Sequence, residues 1–281
     1  MSRSKERDYV LGTHEEELKR LGVQHRAWRP VVLGCWKKAG ITAGSKVLDV
    51  GAGPGYATID LAEIVGSRGH AVAVERSGNF VEAIKNAARK GGFSNIDVHE
   101  LDLMNDDLPG GPFDFAWCRW VLCFISNPEL VVQKIANVMR PHGRAIFHEY
   151  GFYTTWKFFP QRASLEEFRN HVVATWRESG GEPDTGLSLP AWLANNGFKV
   201  CSVVPRIFCI QPGDYMWQWP AQFIQVHLLR LKELGKIDDA FADKVRDDLA
   251  AAEKEETSFM LTPLVLEIIA EKSPRCEPHR H

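Results

Sequence analysis

The chain has 281 residues, 44% apolar and 25% charged, a balance that supports a buried core and excludes extended disorder. Its 34 Lys and Arg stand against 36 Asp and Glu, so the net charge of −2 gives no electrostatic reason to expect nucleic acid or an anionic membrane as partner. No apolar run reaches the roughly 18 residues of a membrane span, and Met1 to Asp8 is too charged for a secretory signal. The six cysteines (Cys35, Cys118, Cys123, Cys201, Cys209, Cys276) form no C-x-x-C pair. Their scatter through apolar segments predicts free thiols in a reducing, cytoplasmic setting, without a metal site.

Residues 14–39 read as helical, with Thr13 and Glu16 as a capping box and Pro30 dividing the segment into two helices. Lys46 to Val50 is a short buried strand, followed by a glycine-rich turn and a helix from Tyr56 to Val65. His70 to Glu75 is the second strand. The next helix runs from Phe80 to Lys90, capped by Asn79 with Glu82 and stopped by Gly91-Gly92. Ile96 to Leu101 and Phe113 to Cys118 are strands three and four. Asn127 caps a helix with Pro128 in its first turn; it ends near Arg140, and Arg144 to Tyr150 is strand five.

The second half has a different rhythm. Residues 152–196 read as loop and helices, with Ser164 and Glu167 as a capping pair. Phe198 to Ile210 is a strand, 214–256 are helical, and Leu261 to Ala270 is a last strand with Pro263 near its start. The order predicts an α/β fold: a doubly wound, mostly parallel, seven-stranded sheet with helical insertions after strands five and six. We expect one domain over 1–281: an N-terminal helical cover at 1–44, a cofactor-binding core at 45–150, and insertions at 151–197 and 211–257.

The most informative segment is Val47-Leu48-Asp49-Val50-Gly51-Ala52-Gly53-Pro54-Gly55. A strand leads into a turn with three glycines, which permit positive φ and close approach of a ligand to the backbone. Dinucleotide-binding folds also use such a turn, with glycines at its first, third and sixth positions. Here the sixth position, counted from Gly51, is Tyr56. Asp49 before the loop disfavours a pyrophosphate and favours a ligand with ammonium and sulfonium groups, as in S-adenosylmethionine.

These residues resemble the first motif of class I S-adenosylmethionine-dependent methyltransferases: an acidic residue, any residue, then Gly-x-Gly-x-Gly. Asp49, Gly51, Gly53 and Gly55 match it without a gap. The resemblance runs in register over about 45–150 and implies a Rossmann-like methyltransferase fold. It further implies that Glu75 holds the ribose hydroxyls and Asp102 accepts from the adenine amino group, with Arg76 and Leu103 beside them. Phe113-Asp114 through Arg119 is similar to the fourth-strand motif, which places Arg119 near the methyl group. Arg140-Pro141-His142-Gly143-Arg144 resembles the segment before strand five, with His142 replacing a glycine. Near the N-terminus, Tyr9-Val10-Leu11-Gly12 and Glu17-x-x-Arg20-Leu21-x-x-Gln24 resemble the opening of small-molecule methyltransferases. There Tyr9 and Gln24 would reach the cofactor's methionine end or the substrate. An amphipathic helix packed through Leu18, Leu21 and Trp28 explains this segment equally well.

On the substrate side, no Asn/Asp-Pro-Pro-aromatic motif follows strand four, where Cys118-Arg119-Trp120-Val121 stands instead. That argues for a small-molecule methyl acceptor and against a nucleic-acid base. Tyr150, Tyr153, Trp156, Trp176, Trp217, Trp219 and Phe223 form either the walls of a covered pocket or the core between insertions and sheet. Tyr150, Glu149 and His148 are the candidates for a general base, needed only for a hydroxyl or carbon acid. The alternatives are a non-catalytic adenosylmethionine-binding module and a nucleotide-cofactor oxidoreductase. The acceptor atom and the oligomeric state are not legible in the sequence.

Overall fold

The computed structural model describes residues 15–274. The chain begins with α1 (Glu15–Ala39), β1 (Lys46–Val50), α2 (Tyr56–Val65), β2 (His70–Glu75), α3 (Gly78–Gly91) and β3 (Ile96–Glu100). It continues with β4 (Phe113–Arg119), α4 (Pro128–Val138), β5 (Met139–Tyr150), β6 (Lys157–Phe159), α5 (Ala163–Glu178) and α6 (Leu189–Asn195). The last part holds β7 (Phe198–Arg206), β8 (Cys209–Ile210), α7 (Gln218–Glu233), α8 (Asp239–Lys254), β9 (Phe259–Leu261) and β10 (Val265–Lys272).

Seven strands form one sheet in the order β3-β2-β1-β4-β5-β10-β7. The pairs from β3 through β5 are parallel, and β10 runs antiparallel to both neighbours. Side chains alternate between the faces, which gives two cores. Val47 and Trp117 face α1 and α2 in one, while Leu48 and Phe147 meet α4 and α6 in the other. The sheet is therefore doubly wound, as expected. No helix among the described residues is long and apolar enough to cross a membrane.

Several boundaries differ from the sequence reading. Helix α1 runs unbroken through Pro30. Pro30 is on the exposed face, so the carbonyl it cannot satisfy is left to water, while Trp28, Val32 and Trp36 hold the buried face. Thr13, its expected cap, lies outside the described residues. Ser77 caps α3 in place of Asn79, accepting from Phe80 N. Ser164 sits inside α5, where its hydroxyl donates to Asp248 and ties α5 to α8. Helix α4 stops at Val138 and β5 starts five residues earlier than expected. Pro141 disfavours helical geometry in the residue before it and so brings the helix end forward.

The expected sixth strand divides at Ile207 and the seventh at Pro263. The fragments β8 and β9 join β6 in a second, three-stranded antiparallel sheet that the sequence reading lacks. Between β9 and β10, Thr155 Oγ1 accepts from Leu264 N, and Phe208 O accepts from Thr262 N. The insertions are thereby stitched to the end of the main sheet.

Trp28 is the pivot of α1. It is fully buried and meets Trp120, Trp219 and Phe208 edge-on, with ring centroids 5.2, 5.0 and 5.5 Å away. We predict that Trp28→Ala lowers stability by about 3–5 kcal/mol, read from urea unfolding. A loss below about 1 kcal/mol would show that α1 is not held through this ring.

Candidate functional site

Strand β1 delivers the chain to a turn in which Gly51, Gly53 and Gly55 all have positive φ, at 67°, 56° and 84°. They differ in what surrounds them. A Cβ on Gly51 would lie 2.4 Å from Val121 Cγ2, and one on Gly55 would lie 2.5 Å from Ile84 Cγ1. A Cβ on Gly53 would meet nothing within 4 Å. Two glycines thus let the turn pack against the protein, and the third leaves its backbone open toward a cavity.

Around this turn stand three acidic residues. Asp49 is buried, and its carboxylate accepts from Thr58 Oγ1 at 2.6 Å. Burial raises its pKa to about 6, against the Thr58 bond and the nearby positive charge of Arg119. Glu75 closes β2. One of its oxygens accepts from Gly53 N at 2.8 Å, and the other from Arg76 N and Ser77 N at 2.8 and 2.9 Å. Desolvation pushes Glu75 above the usual carboxylate range despite these three bonds. Asp102 accepts from Met104 N and Asn105 Nδ2, and Lys134 pins the same loop by donating to Leu103 O and Asp106 O.

These groups line a cavity of about 520 Å³ beyond the C-terminal ends of β1, β2, β4 and β5, where open α/β sheets bind ligands. Asp49, Gly51, Gly53, Glu75, Arg76, Asp102, Leu103, Arg119, Gln24 and Tyr150 all border it. Gln24 Oε1 accepts from Arg20 Nη1 and from Trp219 Nε1, which fixes the amide and leaves its NH₂ as the end open to a ligand. Arg119 donates from Nη2 to His25 Nδ1 at 3.2 Å, while its Nη1 is shielded from solvent without a partner. Burial lowers the Arg119 pKa to about 10, so it stays charged at neutral pH. Tyr56, in place of the third dinucleotide-motif glycine, donates to Leu18 O and ties α1 over the turn.

Other candidates fall elsewhere. Gly55 faces Ile84, and Tyr9 lies outside the described residues. Neither His148 nor Glu149 borders the cavity, so neither can serve as a base there. His148 is buried under α1, edge-on to Trp117 at 4.9 Å, with Nε2 3.4 Å from Glu267. Glu149 accepts from Val121 N and Leu122 N at 2.9 and 3.0 Å, and burial raises its pKa to about 7. Cys35, His148 and Glu267 form a buried cluster of metal-ligand types, but the Glu267 carboxylate is already paired with Arg206.

The sequence reading assigned no role to Arg20, Phe80, Phe124 or Ser179, which also border the cavity. Arg20 precedes Gln24 by four residues and so shares its helix face, a signal the spacing does carry. Of the aromatic residues singled out, Tyr150, Trp176 and Phe223 line the cavity, whereas Trp156 and Trp217 are packed in the core.

The glycine geometry predicts that Gly51→Ala destabilises by about 2 kcal/mol or more, because overlap with Val121 adds to the left-handed backbone cost. Gly53→Ala should cost only the backbone part, about 1–2 kcal/mol. Equal losses in denaturant titrations of the two variants would contradict the distinction.

A family model described as a methyltransferase domain matches residues 41–185. The chain is similar to the ubiquinone/menaquinone biosynthesis C-methyltransferase UbiE of Vibrio vulnificus, with 25% identity over 45% of this chain and 48% of that protein. It is also similar to a demethylmenaquinone methyltransferase of Bacillus pumilus, with 24% identity over 58% of this chain and 73% of that one. The chain spans about half the length of the first of these relatives. Its fold resembles that of the YcgJ protein from Bacillus subtilis, with a TM-score of 0.56, 18% identity, and coverage of 89% of this chain and 99% of that one. With its sheet order, glycine turn and matched domain, the chain belongs to the class I S-adenosylmethionine-dependent methyltransferases.

Proposed function

We propose that this chain transfers a methyl group from S-adenosylmethionine to a small-molecule acceptor inside the cavity above β1, β2, β4 and β5. The observation that carries the reading is the set of groups round the glycine turn: Asp49, Glu75 and Asp102 as acceptors, and the Arg119 guanidinium as a cationic donor. In this reading Glu75 faces the ribose: bonds from Gly53 N, Arg76 N and Ser77 N hold its carboxylate in place and leave about one of its four lone-pair directions for a ribose hydroxyl. Asp102 and Leu103 border the adenine, and Arg76 flanks the ribose. Arg119, with the amide of Gln24, meets the carboxylate of the methionine end. Asp49 supplies the negative field that favours its ammonium and sulfonium.

When bound, the cofactor supplies a methyl group activated by a sulfonium, which an acceptor lone pair takes by in-line displacement. The protein's part is to position the acceptor and to exclude water. Trp120, Tyr150, Trp176 and Phe223 wall the remaining space and suit an acceptor with an apolar body. Tyr150 is the candidate acceptor contact. The described part of the N-terminal segment, 15–44, and the insertions at 151–197 and 211–257 act as its cover within one domain.

Calorimetric titration tests the reading. S-adenosylmethionine should bind and NAD should not, and Glu75→Ala should weaken cofactor binding by about 1.5–3 kcal/mol and also lower fold stability, because Gly53 N, Arg76 N and Ser77 N lose their acceptor. Tight NAD binding, or an unchanged dissociation constant for Glu75→Ala, would refute it. The pH dependence has a definite sign. Asp49 must be ionised to favour a cationic ligand, so its contribution is present at neutral pH and lost as pH falls through about 6. Asp49→Asn should weaken binding at pH 7.5 and flatten the acid limb; a limb unchanged in the variant assigns it to another group.

A further inference from the structure

His25 sits on the buried face of α1, one residue beyond Gln24, and joins two elements that α1 crosses. Its Nε2 lies 3.0 Å from Asp60 Oδ2 on α2, and its Nδ1 lies 3.2 Å from Arg119 Nη2 at the end of β4. An arginine side chain has only donors, so Nδ1 must present its lone pair and the ring proton must be on Nε2, donated to Asp60. Arg29 Nε donates to the same Asp60 oxygen at 2.8 Å, which keeps that carboxylate charged and in place. The imidazole is also stacked on Tyr56, with centroids 5.8 Å apart. Burial holds His25 below the ordinary histidine value, in agreement with a neutral ring.

The chain Arg29–Asp60–His25–Arg119 runs from the surface to the cavity. At its inner end Nη2 is engaged by His25 and Nη1 has no partner. The Asp49 carboxylate, whose field is felt by Arg119, is held by the Thr58 hydroxyl. A positive and a negative group therefore border one cavity with separate supports, an arrangement that matches the carboxylate and ammonium of an α-amino acid.

We propose that His25 is a positioning residue for the cofactor: as the neutral, Nε2-protonated ring it orients Arg119 so that the guanidinium meets the carboxylate of the amino-acid end. This rests on the reading of Arg119 given above. A residue that only packed α1 onto α2 would not discriminate between parts of the ligand, whereas His25 should affect the amino-acid end alone.

The experiment compares two ligands by calorimetry: S-adenosylhomocysteine, and 5′-methylthioadenosine, which lacks the amino-acid end. His25→Phe should weaken S-adenosylhomocysteine about tenfold and leave methylthioadenosine unchanged, the size of one lost charge-assisted contact. His25→Asn, which keeps an acceptor near the position of Nδ1, should restore most of the loss. Arg119→Met should remove the preference for S-adenosylhomocysteine. If Arg119→Met does so while His25→Phe leaves the preference intact, the role of His25 is overturned and that of Arg119 stands. If Arg119→Met leaves the preference intact, both fall. Parallel weakening of both ligands in His25→Phe reduces His25 to a packing residue and overturns the proposal.

Discussion

The hydrogen bond from Gly53 N to the Glu75 carboxylate joins the turn after β1 to the end of β2, and the cavity depends on it. It requires Gly53 to keep a left-handed φ and Gly51 to lie against Val121 with no side chain between. The turn is tied to β2 at a second point as well, because Gly51 N and Ala52 N both donate to Val74 O. A loop held this way is preorganised for a ligand. Its amide hydrogens and the carboxylate need no reordering on binding, which limits the entropy lost there.

Much of this was legible in the sequence because it is local. Asp49, the glycines and Glu75 lie within 27 residues, and each element between them is short with clear periodicity. The doubly wound, mostly parallel sheet follows from the alternation of strands and helices. What the sequence did not reveal depends on partners distant in the chain. Pro30 looks like a break until the other side of its helix is seen to carry Trp28 and Trp36. Pro263 looks like a strand start until β9 is seen to pair with β6, about a hundred residues away. The aromatic residues of the insertions could not be sorted into wall and core, since Trp156 and Trp176 stand in similar sequence, Thr-Trp-Lys and Thr-Trp-Arg, and only tertiary packing separates them.

The aromatic cluster links the cover to the site. Trp120 stacks between Tyr150 and Trp219, with centroids 5.5 Å from each and interplanar angles of 14° and 12°. Trp28 of α1 meets Trp120 and Trp219 edge-on, and Trp219 also donates to Gln24. Helices α1 and α7, a sequence-distant pair, are thereby held together beside the cavity. Apolar burial supplies most of this attachment, and the indole donor fixes its register.

The same region accounts for two polar residues that chemistry alone would misassign, His148 and Glu149. Trp120 has φ of 51°, a left-handed conformation that costs a bulky residue on the order of 1–3 kcal/mol and persists only where the surroundings over-determine it. Here they do. Trp120 N donates to His148 O, and the next two amides, Val121 N and Leu122 N, donate to one oxygen of Glu149. Those amides follow a buried strand end and would otherwise lack partners, which explains an acid in the sheet interior despite its desolvation. Adjacent residues of β5 thus hold the exit of β4 in the conformation that turns the Trp120 ring toward the cavity. Their position next to Tyr150 comes from this support, and proximity to the site in sequence is no measure of access to it.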